Sequence, residues 1–176
     1  LALGLEQGIL VGVIVSLIVV IYESSTPHTA LMGRLPDTET YRNLKRNPEA
    51  MTRSHVVVVR MDANLYFPNV STFRDLVLDL DVNDPALQAI VVDMYPVNQI
   101  DSTATHTLQK VIETCRRNGV ALYLAGVKGP VKDVIDAAGL SDELGSDRFF
   151  LEVHDAVEAA EAAVEDDESA AEPISS

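Results

Sequence analysis

The sequence predicts an α/β domain with one mostly parallel sheet flanked by helices, preceded by a single transmembrane helix. Three observations predict it. Residues 1–22, LALGLEQGILVGVIVSLIVVIY, carry one formal charge, Glu6, and no Lys or Arg occurs before Arg34. After Glu23 the chain is water-soluble in character. There, short β-branched runs alternate with segments of helical period, the pattern of right-handed crossovers joining parallel strands.

A 22-residue helix rises ~33 Å, about the thickness of a bilayer's hydrocarbon core. The fully apolar part, residues 8–22, would reach only ~22 Å. The chain opens on Leu rather than Met, so the span is expected to continue from upstream sequence. Gly4, Gly8, Gly12 and Ser16 recur every four residues, a stripe of small side chains that lets helices approach closely in lipid. A lone anchor does not need such a stripe, whereas one helix of a bundle does. A soluble core helix is the competing reading of the segment. A signal peptide fits poorly, because no basic n-region or A-x-A site is present. Arg34, Arg42, Lys45, Arg46 and Arg53 follow the span and favour a cytoplasmic soluble part. The single cysteine, Cys115, suits a reducing compartment.

The net charge of −14 is uneven: residues 152–172 hold nine acidic residues and no Lys or Arg, leaving 18 acidic against 13 basic residues before them. No basic face suggests nucleic acid. Residues 165–176 read as a disordered acidic tail. Residues 24–53, with turn formers in TPH, LPDT and RNPEA, read as a linker. This leaves about 110 residues, 54–164, for one domain, and a fragment starting near Arg53 is expected to be soluble.

Within it, residues 55–61 (HVVVVRM) make a strand, residues 62–64 a turn, and residues 65–67 a second short strand closed by Pro68. Asn69 or Ser71 caps a helix with Phe73, Leu76, Val77 and Leu80 on its inner face, and Asp84 and Pro85 break it. Residues 87–94 are a buried strand. A second helix presents Leu108, Val111, Ile112 and Cys115 and exits through Arg116, Arg117, Asn118 and Gly119. Residues 120–125 are the next strand; Pro130 opens a third helix and Gly139 ends it. Residues 149–151 form a short strand and 155–164 an Ala/Glu-rich helix.

Ligands of such sheets bind beyond the carboxyl ends of the strands. The loop of residues 95–103 brings Asp101, Ser102 and Thr103 to a helix N-terminus, and residues 126–130 bring Lys128 and Gly129 in a glycine-rich bend. A phosphate or nucleotide site, or a phosphoacceptor hydroxyl, is the functional reading. Ordinary capping explains every residue except Lys128. His28, His55, His106 and His154 show no ligand spacing, so no metal is expected, and no G-x-S-x-G, Walker A or G-x-G-x-x-G motif or other cofactor signature occurs. Asp93 and Asp101 could form a carboxylate pair, too little for an enzyme without further groups.

LEQGILVGVIVSLI, TPHTALMGRLPDTETYRN, PEA, VVVVRMDANLYFPN and VVDMYPVNQIDSTATHTL, in that order, resemble the last membrane helix and following STAS domain of SulP-type anion transporters. The resemblance implies a cytoplasmic regulatory and assembly module of a multi-pass sulfate, bicarbonate or related anion transporter. Its partners would be the upstream membrane domain, a second copy in a homodimer, and a nucleotide or regulatory protein. STAS domains resemble bacterial anti-sigma-factor antagonists, so a partner-switching signalling domain is the alternative. In those a D-S-S-G stretch carries a phosphoserine. Here the matching stretch is Asp101, Ser102, Thr103 and Ala104, which puts Thr103 in the phosphoacceptor register with Ser102 beside it. Thr for Ser and Ala for Gly depart from that pattern, as does Glu23, where a basic residue usually stands beside the membrane.

Overall fold

Hydrophobic period and chain punctuation place most of the elements. The computed structural model describes residues 4–83 and 86–171. The first helix, α1 (Leu5–Ser25), is apolar all round. Its window Glu6–Ser25 is long and apolar enough to cross a membrane, and none of it is buried against the rest of the chain. Near its end the Ser25 and Thr26 hydroxyls donate to the Ile21 and Tyr22 carbonyls.

The segment expected to be a linker holds two strands instead. β1 (Thr29–Arg34) and β2 (Tyr41–Asn43) form an antiparallel hairpin, and β1 also pairs antiparallel with β3 (Val56–Met61). Neither strand shows a sustained period, because one has six residues and the other three. Gly33 allows the return path: a Cβ there would stand 2.5 Å from Leu44 Cδ2 and 3.0 Å from the Met51 carbonyl. Residues 65–67 make no strand. Leu65 forms only an isolated parallel bridge to Ile100, since the chain is already turning into α2 (Val70–Asn83). The expected break at residues 84 and 85 lies outside the described residues.

The alternation then runs as expected through β4 (Ala89–Asp93), α3 (Ser102–Arg117), β5 (Ala121–Ala125), α4 (Gly129–Ala137), a short α5 (Leu140–Leu144), β6 (Phe149–Phe150) and α6 (Val153–Ala171). Gly139, at φ 74°, ends α4 as foreseen, but α5 follows it at once. The acidic stretch expected to be disordered continues α6 as far as Ala171, in keeping with the high helix propensity of Ala and Glu.

The sheet order is β2-β1-β3-β4-β5-β6, parallel from β3 to β6. On one face Phe73 and Val77 of α2, Leu108, Val111 and Cys115 of α3 and Val131 and Ile135 of α4 cover Val59, Ile90, Val92, Leu122 and Leu124. Cys115 is fully buried there, as a core residue. On the other face Ala156, Val157 and Ala160 of α6 lie on Val56, Val58, Ala89, Val91 and Tyr123.

Candidate functional site

The carboxyl ends of β3 to β6 open onto four loops, and these hold the residues singled out in the sequence. Asp101 is the N-cap of α3: Oδ1 accepts from the Ala104 N–H at 2.8 Å. Oδ2 accepts from the Phe67 N–H at 2.9 Å. One carboxylate therefore fixes both the start of α3 and the loop after β3. The Thr105 N–H is also taken, by the Asp101 carbonyl. Of the first-turn donors, those of Ser102 and Thr103 are left. Ser102 is exposed and Thr103 half-buried. Neither hydroxyl takes a hydrogen bond among the described residues, whereas Thr105 Oγ1 donates to the Ser102 carbonyl.

The second loop meets the first, as the sheet topology requires. Lys128 caps α4, and its Nζ donates to Asn98 Oδ1 at 2.6 Å and lies 5.1 Å from the Tyr95 ring centre. Lys128 thus serves the middle of the first loop and makes no hydrogen bond to Ser102 or Thr103. Gly126, at φ +69°, sits against Tyr95, where a Cβ would lie 3.3 Å from the Tyr95 backbone nitrogen. Gly129 opens α4 with unhindered space around its Cα and an ordinary φ.

Two asparagines, expected only in a turn and at a helix cap, organise this edge. Asn64 Oδ1 accepts from the Asn98 and Gln99 N–H groups. Asn69 is fully buried. Rather than cap α2, its side chain turns back: Oδ1 accepts from the Tyr66 N–H at 3.2 Å, and Nδ2 donates to the Asn64 carbonyl at 2.9 Å and to the Ser24 carbonyl at 3.4 Å. The flanking of LYFP by two asparagines was the available signal, but an Asn before a helix reads as a cap.

Asp93 does not pair with Asp101. It shares the α6 side of β4 with Ala89 and Val91, whereas Asp101 caps a helix on the other side. Asp93 borders a cleft of 260 Å³ with Arg60, Tyr41, Tyr95, Glu152 and His154. Burial pushes its carboxyl above the ordinary carboxylate range, against the opposing pull of the Tyr95 N–H, 3.0 Å from Oδ1, and of Arg60. The folded state therefore binds this proton more tightly than the unfolded chain. Asp93's contribution to stability is fully present in acid and is lost as pH rises through the ordinary carboxylate range and then through its raised folded value. Asp93→Asn should consequently melt higher than the parent at neutral pH, with the gap closing in acid. A gap independent of pH would refute the assignment.

Three of the four histidines have structural partners: His28 meets Asp62, His55 the Ala86 carbonyl, and His154 Glu158. Among the described residues no group of three or more His, Cys, Asp or Glu side chains is arranged to hold a metal ion.

Residues 47–156 match the family model described as STAS domain. The Arabidopsis thaliana protein named "Probable sulfate transporter 4.2" is 38% identical over 165 residues, covering 88% of this chain and 24% of that protein. The chain spans about a quarter of the length of the curated relatives it matches. Murine Solute Carrier 26 family member A9, an anion transporter solved in the inward-facing state, superposes with a TM-score of 0.81 at 28% identity, over 91% of this chain and 26% of its own. A putative anti-sigma factor antagonist from Thermotoga maritima shares the fold, with a TM-score of 0.54 at 18% identity over 63% of this chain and 91% of its own. The chain belongs to the STAS domain family, as a SulP-type fragment in which one apolar helix precedes the domain.

Proposed function

We propose that the chain is the C-terminal part of a secondary transporter for sulfate or a related anion, with α1 its last membrane helix and the STAS domain a cytoplasmic module of regulation and assembly. The observation that carries this is joint coverage. The murine transporter matches 91% of the chain, helix and domain together, while the antagonist fold matches 63%. The basic residues between the span and β3 support the cytoplasmic side. The stripe of Gly4, Gly8, Gly12 and Ser16 supports packing against upstream helices: a Cβ on any of the three glycines would meet nothing of this chain within 4 Å. A second copy and a nucleotide or regulatory protein are the partners in this reading.

Asp101, Ser102, Thr103, Lys128 and Gly129 are the proposed regulatory edge. A phosphate on Thr103 would bring a charge of about −1.5 to −2 beside the Asp101 carboxylate. Repulsion would then loosen the tie from Asp101 to the Phe67 N–H. The experiment is anion uptake by the full-length product in transporter-deficient cells. Uptake of sulfate or bicarbonate above background is expected, altered by Thr103→Glu and unchanged by Thr103→Val. No uptake of either anion would remove the transporter reading; uptake indifferent to Thr103→Glu would remove the regulatory role of Thr103.

A further inference from the structure

The carboxyl edge of the sheet carries an apolar surface that the core does not use. Phe67 follows β3, Tyr95 follows β4 and Leu151 follows β6, and they are 74%, 70% and 84% exposed. Outside α1 these are the three most exposed large hydrophobic residues described, and all three stand on one edge. Lys128, in the loop after β5, lies over the Tyr95 ring.

The same edge receives the end of α1. Asn69 Nδ2 and Thr72 Oγ1 each lie 3.4 Å from the carbonyls of Ser24 and Ser25, and the His28 carbonyl accepts from the Asp62 N–H at 2.9 Å. The first two contacts occupy carbonyls that a helix end leaves without internal partners, and the third joins the chain just past that end to the end of β3. Because none of α1 is buried against the domain, the helix leaves this edge and projects away from it. Phe67, Tyr95 and Leu151 thus stand on the same edge of the sheet as the point where α1 leaves the domain.

Beside the exit lies a cleft of 170 Å³ lined by His28, Arg42, Arg46 and Arg60, with Asn43 and Asp62. Arg60 is engaged by Asp62 at 2.5 Å. Arg42 and Arg46 are exposed and have no acidic partner among the described residues. A guanidinium matches a phosphate through paired N–H donors.

We propose that the carboxyl edge is a membrane-docking face. Phe67, Tyr95 and Leu151 enter the interfacial layer of the leaflet from which α1 emerges, and Arg42 and Arg46 hold lipid phosphates there. The inference rests on the reading of α1 as a membrane span. Tyr suits the interface because its ring is apolar and its hydroxyl stays wet. Glu39, Asp62, Asp93, Asp101 and Glu152 stand on or near the edge and match Arg42, Arg46, Arg60 and Lys128, so no surplus of positive charge draws it to a membrane. Docking accordingly depends on apolar insertion and on phosphate, which every phospholipid carries. A docked leaflet would cover the loops on either side of Asp101, so lipid contact and occupation of the α3 terminus would compete.

The chain contains no Trp, so Phe67→Trp, Tyr95→Trp and Leu151→Trp each give one depth-sensitive fluorophore. Arg117→Trp, at the last residue of α3 and so at the opposite edge, is the reference. The chain is reconstituted in nanodiscs whose lipids are brominated near the headgroup end of the acyl chain. The three edge variants should be quenched and blue-shifted, and the reference should not. In discs containing anionic lipid, Arg42→Gln and Arg46→Gln should each lower the docked-to-undocked ratio by about fivefold, the effect of roughly 1 kcal/mol per basic residue at such a surface. If α1 inserts, by protease protection, while the edge residues behave like the reference, docking is refuted and the span stands. Failure of α1 to insert refutes the span itself. Quenching that disappears in the full-length protein would assign the edge to a protein partner and overturn the lipid proposal. Quenching indifferent to both arginine changes would overturn the phosphate contact.

Discussion

A fragment starting at residue 54 should aggregate, whereas one starting at residue 27 should stay soluble and monodisperse. Composition alone sets the domain boundary near residue 53, but the sheet sets it before β1. Residues 29–32 pair with residues 58–61, four of the six residues of β3. Without β1 that edge presents unpaired N–H and C=O groups beside four consecutive valines, Val56 to Val59. An exposed, β-branched edge whose one charge, Arg60, lies near its end is a template for pairing with other chains. The other face of the loss is in the core: Ala30 and Met32 are buried on Val56 and Val58 under α6, and full burial of a Met side chain is worth about 2 kcal/mol. The Arg53–Glu161 ion pair at 2.7 Å would survive only in the longer fragment. Size-exclusion chromatography with light scattering, and melting of both fragments, decides the matter. Equal melting temperatures and a monodisperse short fragment would return β1 and β2 to the status of a linker.

What the sequence made legible follows from how far each signal reaches. The helices of the domain announce themselves through repeated contact with one core: Leu108, Val111, Ile112 and Cys115 recur because α3 lies along the sheet for 16 residues. Strands β3, β4 and β5 are legible because they are central and nearly all apolar. β1 and β2 were not, since β2, the edge strand, has only three residues, β1 beside it has six with Gly33 among them, and turn formers surround both. The start of α3 was visible as Asp101, Ser102 and Thr103, a local pattern. Its connection to Phe67 was not, because the two are 34 residues apart and no local rule pairs a capping carboxylate with a distant N–H. The glycine-rich bend brings Lys128 to the same end of the sheet as the first loop, yet its partners, Asn98 and Tyr95, depend on how two loops meet. The Asp93 and Asp101 pair fails for a periodic reason. Strand alternation sends Asp93 to the α6 side of β4, and the turn into α3 carries Asp101 to the opposite layer.

Asn69→Ala should destabilise the protein by about 2–4 kcal/mol, because a buried polar group left without a partner loses about 1–3 kcal/mol and this amide serves several. With the side chain gone, the Tyr66 N–H loses its acceptor and the Asn64 carbonyl its donor, both in a loop closed off by Phe73 and Leu65. The Ser24 carbonyl loses the longer contact as well. A cavity would contribute to the effect, so Asn69→Asp separates volume from hydrogen bonding. Asp keeps the size and an acceptor for the Tyr66 N–H. It has no donor for the two carbonyls, however, and sets a carboxylate against them in a site with no access to water. Asn69→Asp should therefore destabilise at least as much as Asn69→Ala at neutral pH. The loss should also extend along the edge, since the Asn69-bound loop presents the Phe67 N–H to Asp101 and thereby steadies the start of α3. Denaturant unfolding of the three proteins, with amide exchange at Phe67 and Ala104, measures both consequences. Faster exchange at Phe67 and Ala104 in Asn69→Asp would mean that the end of α1 and the start of α3 are held by one buried amide. If Asn69→Asp unfolds at the parent's midpoint, the donors of that amide hold nothing, and the edge is organised by Asn64 and Asp101 alone.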